Sequence, residues 1–156
     1  MLRHSLGRMS GEILEVLAAP FDCEWATYWH ADRRAGALRA AISWTKREVH
    51  PLELEKHTSG RQLSLSEGVA GQVWRARHPV WTTDLVRDMC LPRSLDATAA
   101  GFRGGLWFTV QSENTVFGVI ELLGTAVGPG TRASLIAVEQ GGLDLGTVIA
   151  HFSLHE

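Results

Sequence analysis

The stretch "GGLWFTVQSENTVFGVIELLG", residues 104 to 124, constrains the fold more than any other part of the chain. Two apolar runs rich in β-branched and aromatic residues flank the polar residues Ser112, Glu113 and Asn114. This pattern predicts a β-hairpin with a loop of three to four residues. Strands joined by hairpins form an antiparallel sheet, whose apolar faces must be covered by other elements of the fold.

A second hairpin is predicted nearer the N-terminus. "CEWATYWHA" and "ALRAAISW" flank the turn "ADRRAG", and both runs are rich in residues that favour strands. In the second run the apolar residues alternate, which predicts that they share one face of the sheet. These residues are Leu38, Ala40, Ile42 and Trp44.

Helices are predicted at both ends of the chain and between the two hairpins. Ser10 caps the helical pattern "SGEILEVLAAPF", and "TRASLIAVEQGGLDLGTVIAHF" keeps a helical stripe despite the cost of Gly141 and Gly142. Between the hairpins, "HPLELEKHTSG", "GVAGQVWRAR" and "RSLDATAAGF" predict short helices, while "RQLSLS" and "HPVWTTDL" predict short strands. This order predicts an α+β sandwich with the terminal helices on one face and the middle helices on the other.

Length and composition indicate a single soluble domain spanning residues 1–156, with its core at about residues 10–152. The net charge of −2 gives no reason to expect nucleic acid or an anionic membrane as a partner. The sequence contains no run of 18 apolar residues and no signal peptide, and its 2 cysteines provide no disulfide framework. We therefore expect a cytoplasmic protein with reduced thiols and no membrane segment.

Catalytic and metal-binding motifs are missing from the sequence. It has no Ser-His-Asp order, no GxSxG elbow and no HExxH, and its 7 histidines show no metal-ligand spacing. We therefore predict no catalytic residue, no metal site and no enzymatic activity.

The order of elements resembles a GAF domain, the small-molecule sensor module of bacterial histidine kinases and related signalling proteins. The resemblance is carried by "WHADRRAGALR", "LSLSEGVAGQVWRARHPVWTTDL", "RDMCLPR", "GFRGGLWFTV" and "VFGVIELLG", and it covers about residues 10 to 152. It implies an antiparallel sheet of five or six strands, with a pocket roofed by the middle helices and loops. It also implies terminal helices that cover the other face and often form a dimer.

Large aromatic side chains would line such a pocket and suit a small planar or apolar ligand, whose identity is unknown. Most of the 6 tryptophans must nevertheless belong to the core. Glu121 could anchor a cationic ligand, pair with Arg103 or lie at a solvated strand end. The candidate ligand-binding residues are Trp44, Trp74, Trp81, Cys90, Trp107 and Glu121.

Three ligand classes known from GAF domains lack their motifs here. Cyclic-GMP binders carry an Asn-Lys pair, whereas Asn114 is followed by Thr115. Haem binders carry a histidine before the fifth strand, and residues 97–105 contain none. "DMCL" around Cys90 resembles the bilin-attachment motif, but the second cysteine followed by histidine is missing.

Two alternatives to a sensor remain open. The first is a thiol enzyme of the free methionine sulfoxide reductase type, which needs two or three thiols around one pocket. Cys23 and Cys90 are the available thiols, and Ala70 occupies the position where those enzymes resemble "GVCG". The second is a degenerate GAF domain that binds nothing and acts as an interaction spacer.

The terminal helices suggest a homodimer. Leu145, Val148, Ile149 and Phe152 form an apolar stripe near the end of the chain. We expect the later part of this stripe to pair with the same helix of a second copy, assisted by the first helix. The predicted interface residues are Ile13, Leu14, Leu17, Ile149 and Phe152.

Overall fold

A computed structural model describes residues 9–128 and 130–154 of the chain. The hairpin predicted at residues 104 to 124 is present, as strands β5 (Gly104–Ser112) and β6 (Thr115–Gly124). The two strands pair antiparallel along their length, with one register shift between Val110 and Gln111.

Six strands form one antiparallel sheet in the described part of the chain. Their order across the sheet is β3-β2-β1-β6-β5-β4, so the strands of the two long hairpins occupy its centre. This confirms the predicted sheet of five or six strands. The remaining strands are β1 (Trp25–Asp32), β2 (Ala37–Thr45), β3 (Gln62–Ser64) and β4 (Val80–Thr82).

Helices cover both faces of the sheet. Ser10 caps the first helix as predicted, since its side chain accepts a hydrogen bond from the Ile13 backbone N–H at 3.3 Å. Between the hairpins the chain forms four short helices rather than three. The helices are α1 (Gly11–Ala18), followed by a 3₁₀ turn (Ala19–Phe21), α2 (Leu52–Thr58), α3 (Gly68–Ala76), α4 (Leu85–Asp88), α5 (Arg93–Ala99) and α6 (Arg132–Leu154). No helix among them is long and apolar enough to cross a membrane.

Two apolar clusters lie on opposite faces of the sheet, as the α+β sandwich requires. The terminal-helix cluster joins α1 and α6 to the sheet and includes Leu14, Ala26, Leu106, Ile120, Leu122 and Val138. The pocket-side cluster joins the middle helices to the other face and includes Trp29, Leu54, Val69, Leu85, Trp107 and Leu123.

A β-bulge in β2 interrupts the alternation of this strand, so the prediction that its apolar residues share one face is wrong. Tyr28 pairs with Ile42 and Trp29 pairs with Ala40, so Ala41 is an extra residue in the ladder. A one-residue shift exchanges the two faces of a strand. Leu38 and Ala40 therefore belong to the pocket-side cluster, whereas Ile42 and Trp44 pack against the terminal-helix cluster.

Helix α6 lies directly on the backbone of β5. A Cβ atom on Gly142 would collide with the Thr109 carbonyl oxygen, and one on Gly146 would collide with that of Gln111. The two glycines lie one helical turn apart, so together they form a flat surface on which the strand rests.

Candidate functional site

A cavity of about 130 Å³ lies on the pocket-side face of the sheet. Trp107 of β5 and Glu121 of β6 line it from the sheet. The first turn of α3 and the segment between α4 and α5 line it from the roof. The other lining residues are Arg61, Leu63, Glu67, Gly68, Val69, Ala70, Met89, Cys90, Leu91 and Arg93.

The turn from β3 into α3 brings that helix against the cavity. Gly68, the first residue of α3, has a φ of +65°, a conformation that favours glycine. A Cβ on Gly71 would lie 2.6 Å from the Ser64 carbonyl oxygen, so only glycine fits there. The sequence "SEGVAG" therefore packs the first turn of α3 tightly against β3.

The carboxylate of Glu121 is completely buried, with 1 % of its side chain exposed. Its Oε1 accepts hydrogen bonds from Trp107 Nε1 at 3.0 Å and from Arg93 Nη1 at 3.0 Å. Its Oε2 accepts from Trp25 Nε1 at 3.0 Å and from Arg93 Nη2 at 2.5 Å. Four donors saturate the carboxylate, whose two oxygens have about four acceptor positions.

Arg93 is also buried. Its Nε donates to Thr58 Oγ1 at 2.9 Å, and its guanidinium carbon lies 5.1 Å from the centre of the Trp29 ring. Burial would raise the pKa of Glu121, but the Arg93 charge and its hydrogen bonds, with those of the indoles, more than offset this and hold that pKa below its usual range. Glu121 is therefore ionised in the core.

These contacts form one polar network, which we call the Glu121 network: Glu121, Arg93, Trp25, Trp107 and Thr58. It joins the sheet to α2 and α5 of the roof. Glu121 pairs with Arg93, so the alternative of a pair with Arg103, which is exposed, is wrong. The solvated strand end is also wrong, because Glu121 lies within the core.

Helices α2 and α5 share a second polar contact. His57 Nδ1 lies 2.6 Å from Asp96 Oδ2, with both side chains at least partly exposed. Since Thr58 and Arg93 link the same two helices, adjacent residues of α2 bind residues one turn apart on α5.

Only some of the predicted pocket residues lie together. Cys90, Trp107 and Glu121 line the cavity, and Trp74 is half-buried against the pocket-side cluster. Trp44 and Trp81 pack against the terminal-helix cluster instead, which corrects their predicted place in the pocket.

Strand geometry explains these two misplacements. The bulge at Ala41 turns Trp44 to the other face. Trp81 follows Val80 in β4, and adjacent residues of a strand face opposite sides. Its ring meets that of Phe21 edge to face at 5.5 Å, and its indole N–H donates to the Gly128 carbonyl.

The 2 cysteines lie in different layers. Cys23 is buried in the terminal-helix cluster, where burial, with Glu24 and Asp22 nearby, raises the pKa of its thiol to about 12. Cys90 is exposed and lines the cavity, as does Ala70. The cavity therefore has one thiol.

Sequence reasoning missed three residues that matter here. Arg93 holds Glu121, Trp25 donates to it, and Arg61 lines the cavity. A carboxylate inside an apolar strand signals that a buried cation must exist. Most of the 15 basic residues are arginines spread along the chain, so the sequence did not indicate which one.

The predicted dimer residues are mostly engaged within the domain. Leu14 is fully buried, while Ile13, Leu17 and Ile149 are half-buried against the terminal-helix cluster. The side chain of Phe152 lies outside the described part of the structure. Among the described side chains of the terminal helices, the exposed large apolar residues are Val16, Ile136, Leu143 and Val148.

Comparison with solved structures identifies the architecture. The GAF domain of an Acinetobacter phosphoenolpyruvate-protein phosphotransferase has a TM-score of 0.68 at 18 % sequence identity, covering 96 % of this chain and 82 % of that one. The chain has the GAF fold. No protein-family model and no curated protein sequence matches it.

Proteins of two functional kinds share this fold. A domain assigned to a two-component sensor histidine kinase protein of Sinorhizobium meliloti has a TM-score of 0.63 at 14 % identity, covering 94 % of both chains. The free methionine-R-sulfoxide reductase of Neisseria meningitidis, solved with its substrate, has a TM-score of 0.69 at 14 % identity, covering 99 % of this chain and 87 % of that one.

Proposed function

We propose that the chain is a non-catalytic module that binds a small molecule and dimerises within a bacterial signal-transduction protein. Residues 10–152 form its core, and it works in the cytoplasm. The observation that carries the proposal is the cavity of about 130 Å³ between the sheet and the middle helices. Concave, mostly apolar sites with a few placed polar groups are the usual form of ligand pockets.

The pocket's position suits a sensor. The Glu121 network connects its lining to helices α2 and α5, so a ligand that moves the roof also strains contacts to the central strands. The central strands carry α6 on their other face, which provides a contiguous route to the terminal helices.

Native mass spectrometry of protein purified from its own host tests this proposal. We expect a retained small molecule in the wild type, because a pocket of this kind buries most of a ligand. Ala70→Leu should remove it by filling the cavity that Ala70 lines. Ala76→Leu, on the exposed side of the same helix, is the matched control and should retain it.

No bound mass in the wild type would favour the ligand-free spacer instead, and loss of the bound mass in both variants would contradict this cavity as its binding site. Circular dichroism of each variant must first show that it is folded.

A reductase of free methionine sulfoxide is the second candidate, favoured by Cys90 in the cavity lining and by the reductases that share the fold. That chemistry oxidises one thiolate to a sulfenic acid, which a second thiol resolves. Cys23, the other thiol, is buried on the opposite face of the sheet with a raised pKa. Turnover of free methionine-R-sulfoxide that disappears in Cys90→Ser would replace our proposal with this one.

A further inference from the structure

We infer that the ligand of this cavity is a small organic anion, with a carboxylate head bound by Arg61 and Arg93 and a short apolar body. The inference rests on the proposed function and specifies its ligand class. It follows from the hydrogen-bonding groups of the lining that have no partner.

Neither acidic side chain of the lining accepts a hydrogen bond from Arg61 in the described structure. Glu121 is neutralised by Arg93, and both its oxygens are saturated. Glu67 is exposed to water, and its Oε1 accepts from the Ser64 backbone N–H at 2.9 Å and from the Ser64 hydroxyl at 3.2 Å. The Arg61 charge contributes to the lowered pKa of Glu67, after its hydrogen bond to the Ser64 backbone.

Some hydrogen-bond donors of the lining, in contrast, have no acceptor among the described residues. The Nε of Arg61 is buried and has no hydrogen-bond partner among the described residues. An unpaired buried donor costs roughly 1–3 kcal/mol, which an acceptor on a ligand would recover. Arg93, 6 % exposed, uses three of its five N–H groups on Thr58 and Glu121, leaving two without a partner in the described structure.

The first turn of α3 adds further donors. Its N-cap residue, Glu67, makes no side-chain cap hydrogen bond, and the Gly71 N–H is the one that reaches the Glu67 carbonyl. The N–H groups of Gly68, Val69 and Ala70 are therefore outside the helical ladder, at the end of the helix that favours negative charge. All three residues line the cavity.

The rest of the lining is apolar, which defines the body of the ligand. Leu63, Val69, Met89 and Trp107 provide this surface. A cavity of about 130 Å³ is slightly smaller than the engineered cavity of about 150 Å³ that binds benzene. This volume limits the apolar body of the ligand to about a benzene ring or a short branched alkyl chain, as in benzoate or 3-methylbutanoate.

Thermal unfolding of the purified protein with these two sodium salts tests the inference. Benzamide and 3-methylbutanamide serve as neutral probes of the same shape, and sodium chloride keeps the ionic strength constant. A ligand that binds the folded state raises the melting temperature by mass action. We expect the acids to bind at least about tenfold more tightly than the amides, because charge-assisted hydrogen bonds are the stronger kind.

Arg61→Gln should reduce the difference between acid and amide, and Arg61→Lys should reduce it less because it retains the charge. Arg33→Gln, in the exposed turn of the first hairpin, is the matched control and should behave as the wild type. If circular dichroism shows that Arg61→Gln is unfolded, Arg61→Lys alone tests the inference. The difference in binding between acid and amide should then be smaller in Arg61→Lys than in the wild type.

Equal binding of acids and amides, an undiminished difference in Arg61→Lys, or no protection by either acid would overturn the inference. A ligand found by native mass spectrometry that carries no acidic group would do the same while leaving the proposed function intact. The proposed function fails on a different result: native mass spectrometry finds no molecule bound to the wild type that is lost in Ala70→Leu.

Discussion

At the scale of single residues, Glu121 and Arg93 form an ion pair inside the apolar core. Both side chains are nearly inaccessible, with 1 % and 7 % exposed. Replacing a whole buried ion pair by apolar groups is often harmless, but removing one partner leaves an uncompensated charge. Replacing only Glu121 or only Arg93 should therefore lower the free energy of unfolding strongly.

Glu121→Gln should lower the free energy of unfolding by about 3–5 kcal/mol, because it leaves the Arg93 guanidinium buried without a counter-charge. Chemical denaturation measures this loss. Glu53→Gln, on the exposed side of α2, should change stability little. Adding Arg93→Met to Glu121→Gln should restore part of the stability, and a further loss in that double variant would contradict a dominant role for the unpaired charge.

The same substitution has a defined pH dependence. The folded pKa of Glu121 is lowered, so its carboxylate contributes stability that is present above the unfolded pKa of about 4.3 and lost as the pH falls through the folded pKa. The stability gap between wild type and Glu121→Gln should therefore be full near neutral pH and narrow progressively below about pH 4. A gap that stays constant into acid would show that the carboxylate charge is not its cause.

At the scale of elements, the long C-terminal helix depends on glycine at two positions and not at a third. Gly142 and Gly146 of α6 face the carbonyl oxygens of β5, whereas a Cβ on Gly141 would meet nothing within 4 Å. Glycine is less favourable than alanine inside a helix. At Gly142 and Gly146 it nevertheless allows α6 to pack closely against β5.

Gly142→Ala and Gly146→Ala should each destabilise the protein by more than about 2 kcal/mol, since backbone atoms of a central strand cannot move aside cheaply. Gly141→Ala should instead stabilise it by about 0.5–1 kcal/mol, through the helix propensity of alanine. Thermal or chemical denaturation of the three variants decides. Similar effects at all three positions would mean that α6 does not rest on β5 as described.

The elements themselves were largely predictable, because local patterns determine them. The hairpin at residues 104 to 124 and the cap at Ser10 were confirmed. The bulge at Ala41 was not predictable, since alternation continues through it in the sequence and only pairing with β1 reveals the extra residue. From the sequence, the glycines of α6 predicted only a lower helix stability. Their role in packing could not be predicted, because it depends on a strand more than thirty residues away in the sequence.

At the scale of the whole molecule, the layered architecture followed from the order of elements, but the centre of the site did not. The Glu121 network joins residues from β1, α2, α5, β5 and β6, and the bond from Trp25 to Glu121 spans 96 positions of the sequence. No local pattern encodes which arginine completes it. The sequence therefore indicated Trp107 and Glu121, which line the cavity from the sheet. It did not indicate Arg61 and Arg93, which line the same cavity.

The cavity and the exposed apolar residues of the terminal helices lie on opposite faces of the sheet. Ile136 and Leu143, 57 % and 38 % exposed, lie seven residues apart on α6 and so share one side of this helix. We propose these two residues for the dimer interface in place of Leu14, which is fully buried in its own domain.

Light scattering should find a wild-type dimer, because an apolar stripe on a terminal helix is stabilised by burial against a second copy. Ile136→Glu combined with Leu143→Glu should yield a folded monomer, since the change places two charges in that interface and leaves the residues packed on β5 untouched. Val86→Glu, an equally exposed apolar residue on α4, is the control and should remain dimeric. A wild type that is monomeric at high concentration, or a double variant that stays dimeric, would exclude this side of α6 as the interface. In that case a change in the pocket would have to reach its output by a surface other than the terminal helix.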